Sequence, residues 1–369
     1  MPKLFDGGTL MMASLLVGIM VASLVLYALL GGADYGAGVW DLLSAGPLKE
    51  EQKELIANAI QPIWEANHVW LILIIVLLFS GFPPAFGAMM VALFIPILLM
   101  LAGIVLRGSS FVFRAYSTID SRMQRACAYV FSMSSCFTPL FAGIIVGALS
   151  DDHIFVTQDV SVNGYVLNWL NPFTVSVGFL TIALFAFLAA AYLIVEASSE
   201  ELKSAFRRRS VGAGAAVVIT AMLTSILSSW YARGLRYSFM HNALARWSAL
   251  TAGVAFALAF FALYQRRDRL LRAMAAIHLA AIVVGWASSQ YPYLIRPERT
   301  IFNSVLSETV VRDVVLASAA GAVVLFPSLG LLLYVFKDQR RSKAASSTRG
   351  EAMRGTVGGE SERVSGTVF

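Results

Sequence analysis

The chain has 369 residues, 58% of them hydrophobic and 14% charged, and a soluble globule of that make-up would lack the polar surface needed to cover its core. A soluble enzyme is excluded and an integral membrane protein implied. The formal net charge of +6 is accounted for by membrane topology, so no nucleic-acid partner is called for.

Apolar runs of about 20 residues, enough to cross about 30 Å of hydrocarbon as helix, lie near 10–30, 59–80, 84–106, 126–149, 172–197, 211–231, 247–264, 273–289 and 314–336. They predict an all-α integral membrane protein with about nine transmembrane helices, expected as two four-helix bundles plus one peripheral helix. Residues 1–338 form the membrane domain. The segment 339–369 is rich in Ser, Gly, Thr and charge, buries too little to offset its ordering entropy, and reads as a disordered tail.

The first run follows Lys3 but is too long for a signal-peptide core and lacks a good cleavage site, so it reads as a retained helix. After it comes "LLGGADYGAGVWDLL", which places Asp34 in a Gly-rich break. Irregular backbone there must be buried in protein or wetted, and spacing leaves Asp34 open between a loop carboxylate and a member of a polar path. The chain's many glycines read as close helix packing rather than as ligand cradles.

The second run opens with "NAIQPIWEANHVW". At about 100° per residue, Asn58, Gln61, Glu65 and His68 share one helix face, with Trp64 beside them and Asn67 turned away. Glu65 and His68 would lie about 12–17 Å into the membrane. A carboxylate at that depth must face protein, water or a partner, so the stripe reads as an intramembrane path, against a structural polar cluster. Pro62 would free a carbonyl beside it.

The third run ends in "LRGSSFVFR", which places Arg107 at its inner end. Arg107 is the candidate to pair with Asp34 or Glu65; Arg114 reads as an ordinary cytoplasmic cation. Cys127 and Cys136 sit about half a turn out of phase on one predicted helix and cannot bridge.

With nine spans and the N-terminus outside, 21 of the 28 Lys and Arg residues fall on the cytoplasmic side and the acidic loop "SDDHIFVTQD" falls outside, which satisfies the positive-inside rule. Of four histidines, His153 and His241 fall in outer loops, His278 reads as a satisfied interior imidazole, and His68 joins the stripe. That inventory gives no expectation of haem in this chain. No Walker loop, CxxC or metal-ligand spacing appears, so no metal is expected.

The ordered set "GGADYGAGVWDLL", "NAIQPIWEANHVWLI", "FPPAFGAMMVALFIPILLMLAGIVLRG", "NWLNPF" and "YPYLIRPERTIFNSV" with "LFPSLGLLLYVFK" resembles subunit II of the cytochrome bd-type quinol oxidases, including their cyanide-insensitive relatives. The resemblance covers almost the whole chain to about residue 338. It implies a haem-free member of a heterodimer in the bacterial inner membrane. Haems b and d would then be carried by subunit I, which also holds the quinol site; whether a quinone binds this chain is left open. It also implies proton uptake from the cytoplasm through the acid after Trp64, here Glu65, flanked by His68, and it maps the family's Asp and Arg onto Asp34 and Arg107. Two positions depart from the family. Gly31 and Val112 stand where relatives carry acids, so the inner part of the path would rest on water, Asn58 or Gln61. The sequence leaves two rivals: a secondary transporter or ion-conducting protein with Asp34, Glu65 and Arg107 at a midplane site, and a purely scaffolding subunit.

Overall fold

The computed structural model describes residues 7–60, 64–116, 121–153, 169–325, 327–328 and 330–331, with backbone alone at 60, 64–66, 114–116 and 121. The chain divides into two units, Met1–Val314 and Val315–Phe369. The first contains α1 (Gly7–Leu42), α2 (Lys49–Ile60), α3 (Trp64–Gly81), α4 (Pro83–Ala92), α5 (Phe94–Tyr116) and α6 (Ser121–Ser150). It continues with α7 (Pro172–Glu196), α8 (Glu200–Tyr231), α9 (Arg233–His241), α10 (Ala243–Tyr264), α11 (Asp268–Gln290) and α12 (Ile301–Ser304). The described residues of the second unit are helical, and the tail expected over 339–369 lies outside the described residues.

Seven described helices, α1, α5, α6, α7, α8, α10 and α11, are long and apolar enough to cross a membrane. The bent pair α3 and α4 makes an eighth if counted as one span. The run expected as a ninth, at 314–336, extends into residues outside the description. The bend is 118° and has a local cause: Pro83 and Pro84 open α4 at its first two positions, and a residue before proline is pushed out of helical backbone, here Phe82 at φ −133.

The apolar run 84–106 is therefore not one helix. A turn at Leu93 divides it, and α5 starts at Phe94 and continues to Tyr116. Pro96 is accommodated in the first turn of α5, where the N–H it lacks would have no partner.

α7 is the hub of the bundle, packed against α1, α6, α8 and α11. Asn171 caps it in a reciprocal box with Thr174 and Pro172 follows at the first position, a combination that fixes where a helix begins. Its middle, Ala186 to Ala191, is buried throughout, and the small side chains let neighbours come close, the packing mode membranes favour.

The Gly-rich stretch of the first span does not break it. α1 runs unbroken through Gly31, Gly32, Gly36 and Gly38 to Leu42, so Asp34 sits inside a helix rather than in a loop. The glycines let the helix face its neighbours at short range. A Cβ at Gly36 would run into the Phe185 carbonyl of α7, and one at Gly38 into Ser135 of α6. Gly36→Ala is expected to cost about 1–3 kcal/mol through this overpacking, measurable as a lower melting temperature of the purified protein; an unchanged melt would mean that α1 and α7 can separate without loss.

At the opposite end from α2, the chain makes a small antiparallel pair, β1 (Tyr293–Ile295) and β2 (Arg299–Thr300), which the all-helical expectation omitted. Arg296 lies in its turn and is not a surface loop cation. Only 4% of it is exposed, and its guanidinium donates to the Ser289 carbonyl at 2.7 Å, Ser238 Oγ at 3.0 Å and Gln290 Oε1 at 3.3 Å. Its backbone N–H donates to the Leu149 carbonyl. Arg296 thus ties the hairpin to α6, α9 and α11: its guanidinium satisfies a carbonyl at the end of α11, as cations near C-termini do, and its backbone N–H satisfies one at the end of α6.

Candidate functional site

Tyr27, Asp34 and Asp41 recur at intervals of seven on α1, two helical turns apart, so they form one stripe along the helix. All three are buried. The stripe meets α3, α5 and α6, and each contributes polar side chains to it.

From α5, Arg107 reaches Asp34. Its Nη2 donates to Asp34 Oδ1 at 2.7 Å and to the Asp34 carbonyl at 3.3 Å, and its Nε donates to Ser135 Oγ of α6 at 3.0 Å. The side chains are 2% and 5% exposed. The guanidinium also lies over the Tyr35 and Phe131 rings, 4.8 and 4.9 Å from their centroids, so a planar cation is enclosed by aromatic faces and a carboxylate, the combination for which Arg is suited. Arg107 is not at a helix end: α5 continues nine residues beyond it to Tyr116. The polar "GSS" after it is still helix, with Ser110 buried.

From α3, Asn67 Nδ2 donates to the Leu30 carbonyl of α1 at 3.4 Å. Asn67 therefore faces the bundle rather than away from it, and only 2% of it is exposed. The His68 ring lies 6.3 Å from that of Tyr27 and 6.4 Å from that of Tyr35. Its Nδ1 is buried and makes no hydrogen bond among the described residues. The Tyr27 and Tyr35 hydroxyls are 3.3 Å apart. Tyr35 thus stands between His68 of α3 and Arg107 of α5. Further along the stripe, Asp41 Oδ2 accepts from Ser132 Oγ at 2.6 Å, and Trp40 Nε1 donates to the Ala186 carbonyl at 2.8 Å.

The side chains of Trp64 and Glu65, and all of Gln61, lie outside the described residues. Glu65 is placed by its backbone in the first turn of α3, and the continuity of the expected face from Asn58 to His68 crosses residues 61–63, also outside. Asn58 is exposed on α2. Sequence reasoning missed Tyr27, Tyr35, Asn67, Ser132, Ser135 and Asp41. The seven-residue interval on α1 was the signal that could have found two of them.

Of the departures noted above, Gly31 is buried beside the Tyr27 ring, and Val112 is 39% exposed on α5. No group of three metal-ligating side chains occurs among the described residues. His278 Nδ1 contacts the Ala252 carbonyl at 2.9 Å while its buried Nε2 has no hydrogen-bond partner among the described residues, so within them the interior imidazole is half satisfied. Phe187 and Phe256 pack around its ring.

The family profile described as "Cytochrome bd terminal oxidase subunit II" matches residues 12–336. The chain belongs to the cytochrome bd oxidase subunit II family. It is 20% identical to the putative cytochrome bd menaquinol oxidase subunit II of Bacillus subtilis (strain 168), over 89% of this chain and 96% of that one. It is 24% identical to the cytochrome bd-I ubiquinol oxidase subunit 2 of Escherichia coli (strain K12), over 60% of this chain and 56% of that one. The fold matches a chain of the bd oxidase structure from Geobacillus thermodenitrificans with a TM-score of 0.74, covering 88% of this chain and 98% of that one at 20% identity. A subunit II of this family is a multi-pass membrane protein and part of a bd oxidase complex. The stripe of α1 with α3, α5 and α6 is the polar interior of that subunit.

Proposed function

We propose that this chain is the haem-free second subunit of a membrane quinol:oxygen oxidoreductase in the bacterial inner membrane. It spans nine times with the N-terminus outside, and its nine helices form two four-helix bundles plus one peripheral helix. It supports a haem-bearing subunit I, which carries haems b and d and takes electrons from quinol. Through Glu65 it brings protons from the cytoplasm. Reducing one O₂ to two waters takes four electrons and four protons, and a buried reaction site needs a path for the latter.

One observation carries this reading: the start of α3, where Glu65 stands, is docked by Asn67 and His68 onto the buried polar stripe of α1. The backbone of Glu65 lies in the turn that carries Asn67 and His68, and these two meet groups on α1 able to hold a proton or orient water. Arg107 is neutralised by Asp34, so the pair adds no net positive field to oppose an arriving proton. That mutual neutralisation also tells against a transporter reading, in which the two charges would be left open to a substrate.

The test is to tag this chain, purify it from membranes with its partner, and record spectra and oxygen consumption. Haem b and d bands in a stoichiometric complex that oxidises quinol support the reading. The chain released from its partner is expected to show no Soret band, and a band surviving stringent washing would contradict the haem-free assignment.

A further inference from the structure

At the basic end of the bundle, a cavity of about 580 Å³ lies between the end of α7, the first turn of α8 and the turn joining α10 to α11. Its apolar lining is offered by half-buried Val195 and Leu270, with Ile194 fully buried behind them; the other side carries Lys203, Arg267 and Arg269. Asp268 is the acid in its lining, and both of its oxygens already accept from Arg207, at 2.9 and 3.0 Å. Lys203 is shared with Glu200 at 3.2 Å, and Glu200 is 67% exposed. Arg267 and Arg269 are exposed and make no ion pair or side-chain hydrogen bond among the described residues.

Three further features point the same way. Arg267 caps α11 without a side-chain hydrogen bond, so first-turn amides at Arg269 and Leu270 have no side-chain acceptor at the cavity edge, where a helix start favours an anion. The turn passes through the left-handed region at Arg266, φ 55, which sets the backbone of Arg267 at the edge of the hollow. Tyr264, just before it, is 85% exposed, and an exposed aromatic at a helix end marks the level of lipid headgroups.

Retention of positive charge on one side of the membrane explains cations at this end, but it needs no concavity and no apolar wall. The geometry points to a binding site for a phosphate-bearing anion, and we propose that its ligand is the headgroup of an anionic phospholipid from the adjacent leaflet. The phosphodiester takes the forked donors of Arg267 and Arg269, Lys203 completes the charge, and an acyl chain leaves along Val195 and Leu270. The lining sums to a net charge of about +2, three cations against Asp268.

The intact purified complex, titrated with phosphatidylglycerol or phosphatidylcholine and read by native mass spectrometry, tests this. Wild type is expected to retain phosphatidylglycerol preferentially, and the double variant R267Q/R269Q to bind it about tenfold more weakly. Arg208→Gln, an exposed cation on α8 that does not line the cavity, should leave the affinity unchanged, and R267K/R269K should keep most of it. Equal affinity for the two lipids, or an unchanged affinity in R267Q/R269Q, would overturn the proposal. So would ready displacement of the lipid by millimolar inorganic phosphate, which would assign the hollow to a free anion.

Discussion

Glu65→Gln is expected to lower quinol-driven oxygen consumption on the order of a hundredfold, the lower end of what a positioned proton-transfer group supplies, while haem spectra and yield of the complex stay close to wild type. Glutamine keeps the size and hydrogen-bonding reach of the side chain and removes its ability to bind and release a proton, so a packing role would survive the change. Glu65→Asp separates the remaining possibilities. A shorter acid should retain a substantial part of the rate if the carboxyl group itself carries protons. Oxygen consumption equal to wild type in Glu65→Gln would remove this residue from the mechanism, and loss of assembled complex in that variant would reassign it to structure. The neighbouring His68→Ala is the milder companion, because it removes a ring that touches Tyr27 and Tyr35 without removing a carboxyl group.

The helices were legible because length and apolarity alone decide whether a segment can cross a bilayer, and each of the seven described spans corresponds to an apolar run in the sequence. What was illegible depended on neighbours. The Gly-rich run around Asp34 has the composition of a break, yet the same absence of Cβ atoms lets α1 lie against Phe185 and Ser135; only the arrival of α7 and α6 decides between the two. The "RGSSF" segment looks like the end of a helix because of its polarity. Ser135, Tyr35 and Asp34 on other helices give Arg107 its partners and leave the helix free to continue. Asn67 was assigned the wrong face because the angle was counted from Asn58 across Pro62, where a proline can shift the register of everything after it. Arg296 has the composition of a loop cation, and its burial depends partly on α6, whose Leu149 carbonyl, distant in the chain, accepts its backbone N–H.

The Asp34–Arg107 pair gives the second large expectation. Arg107→Leu should destabilise the protein by about 3–5 kcal/mol, since it leaves a carboxylate buried without its cation. The effect should appear as a sharply lower yield of assembled complex and a lower melting temperature. Asp34→Leu should cost a similar amount for the mirror-image reason, since Arg107 would lose its carboxylate and keep, among the described residues, Ser135, the backbone carbonyl at position 34 and the two aromatic rings. The double variant distinguishes a structural clamp from a functional charge. With both ions gone and the volume filled, no uncompensated charge remains, so much of the lost stability should return and the cycle should show strong coupling. If the double variant regains its melting temperature and its oxygen consumption together, the pair serves only to hold α1 to α5 and α6. If it regains stability but turns over slowly, the charges themselves are needed beside the path. Additive losses in the two single variants would mean that the 2.7 Å contact does not couple the helices, and the electrostatic part of the mechanism would fall with it.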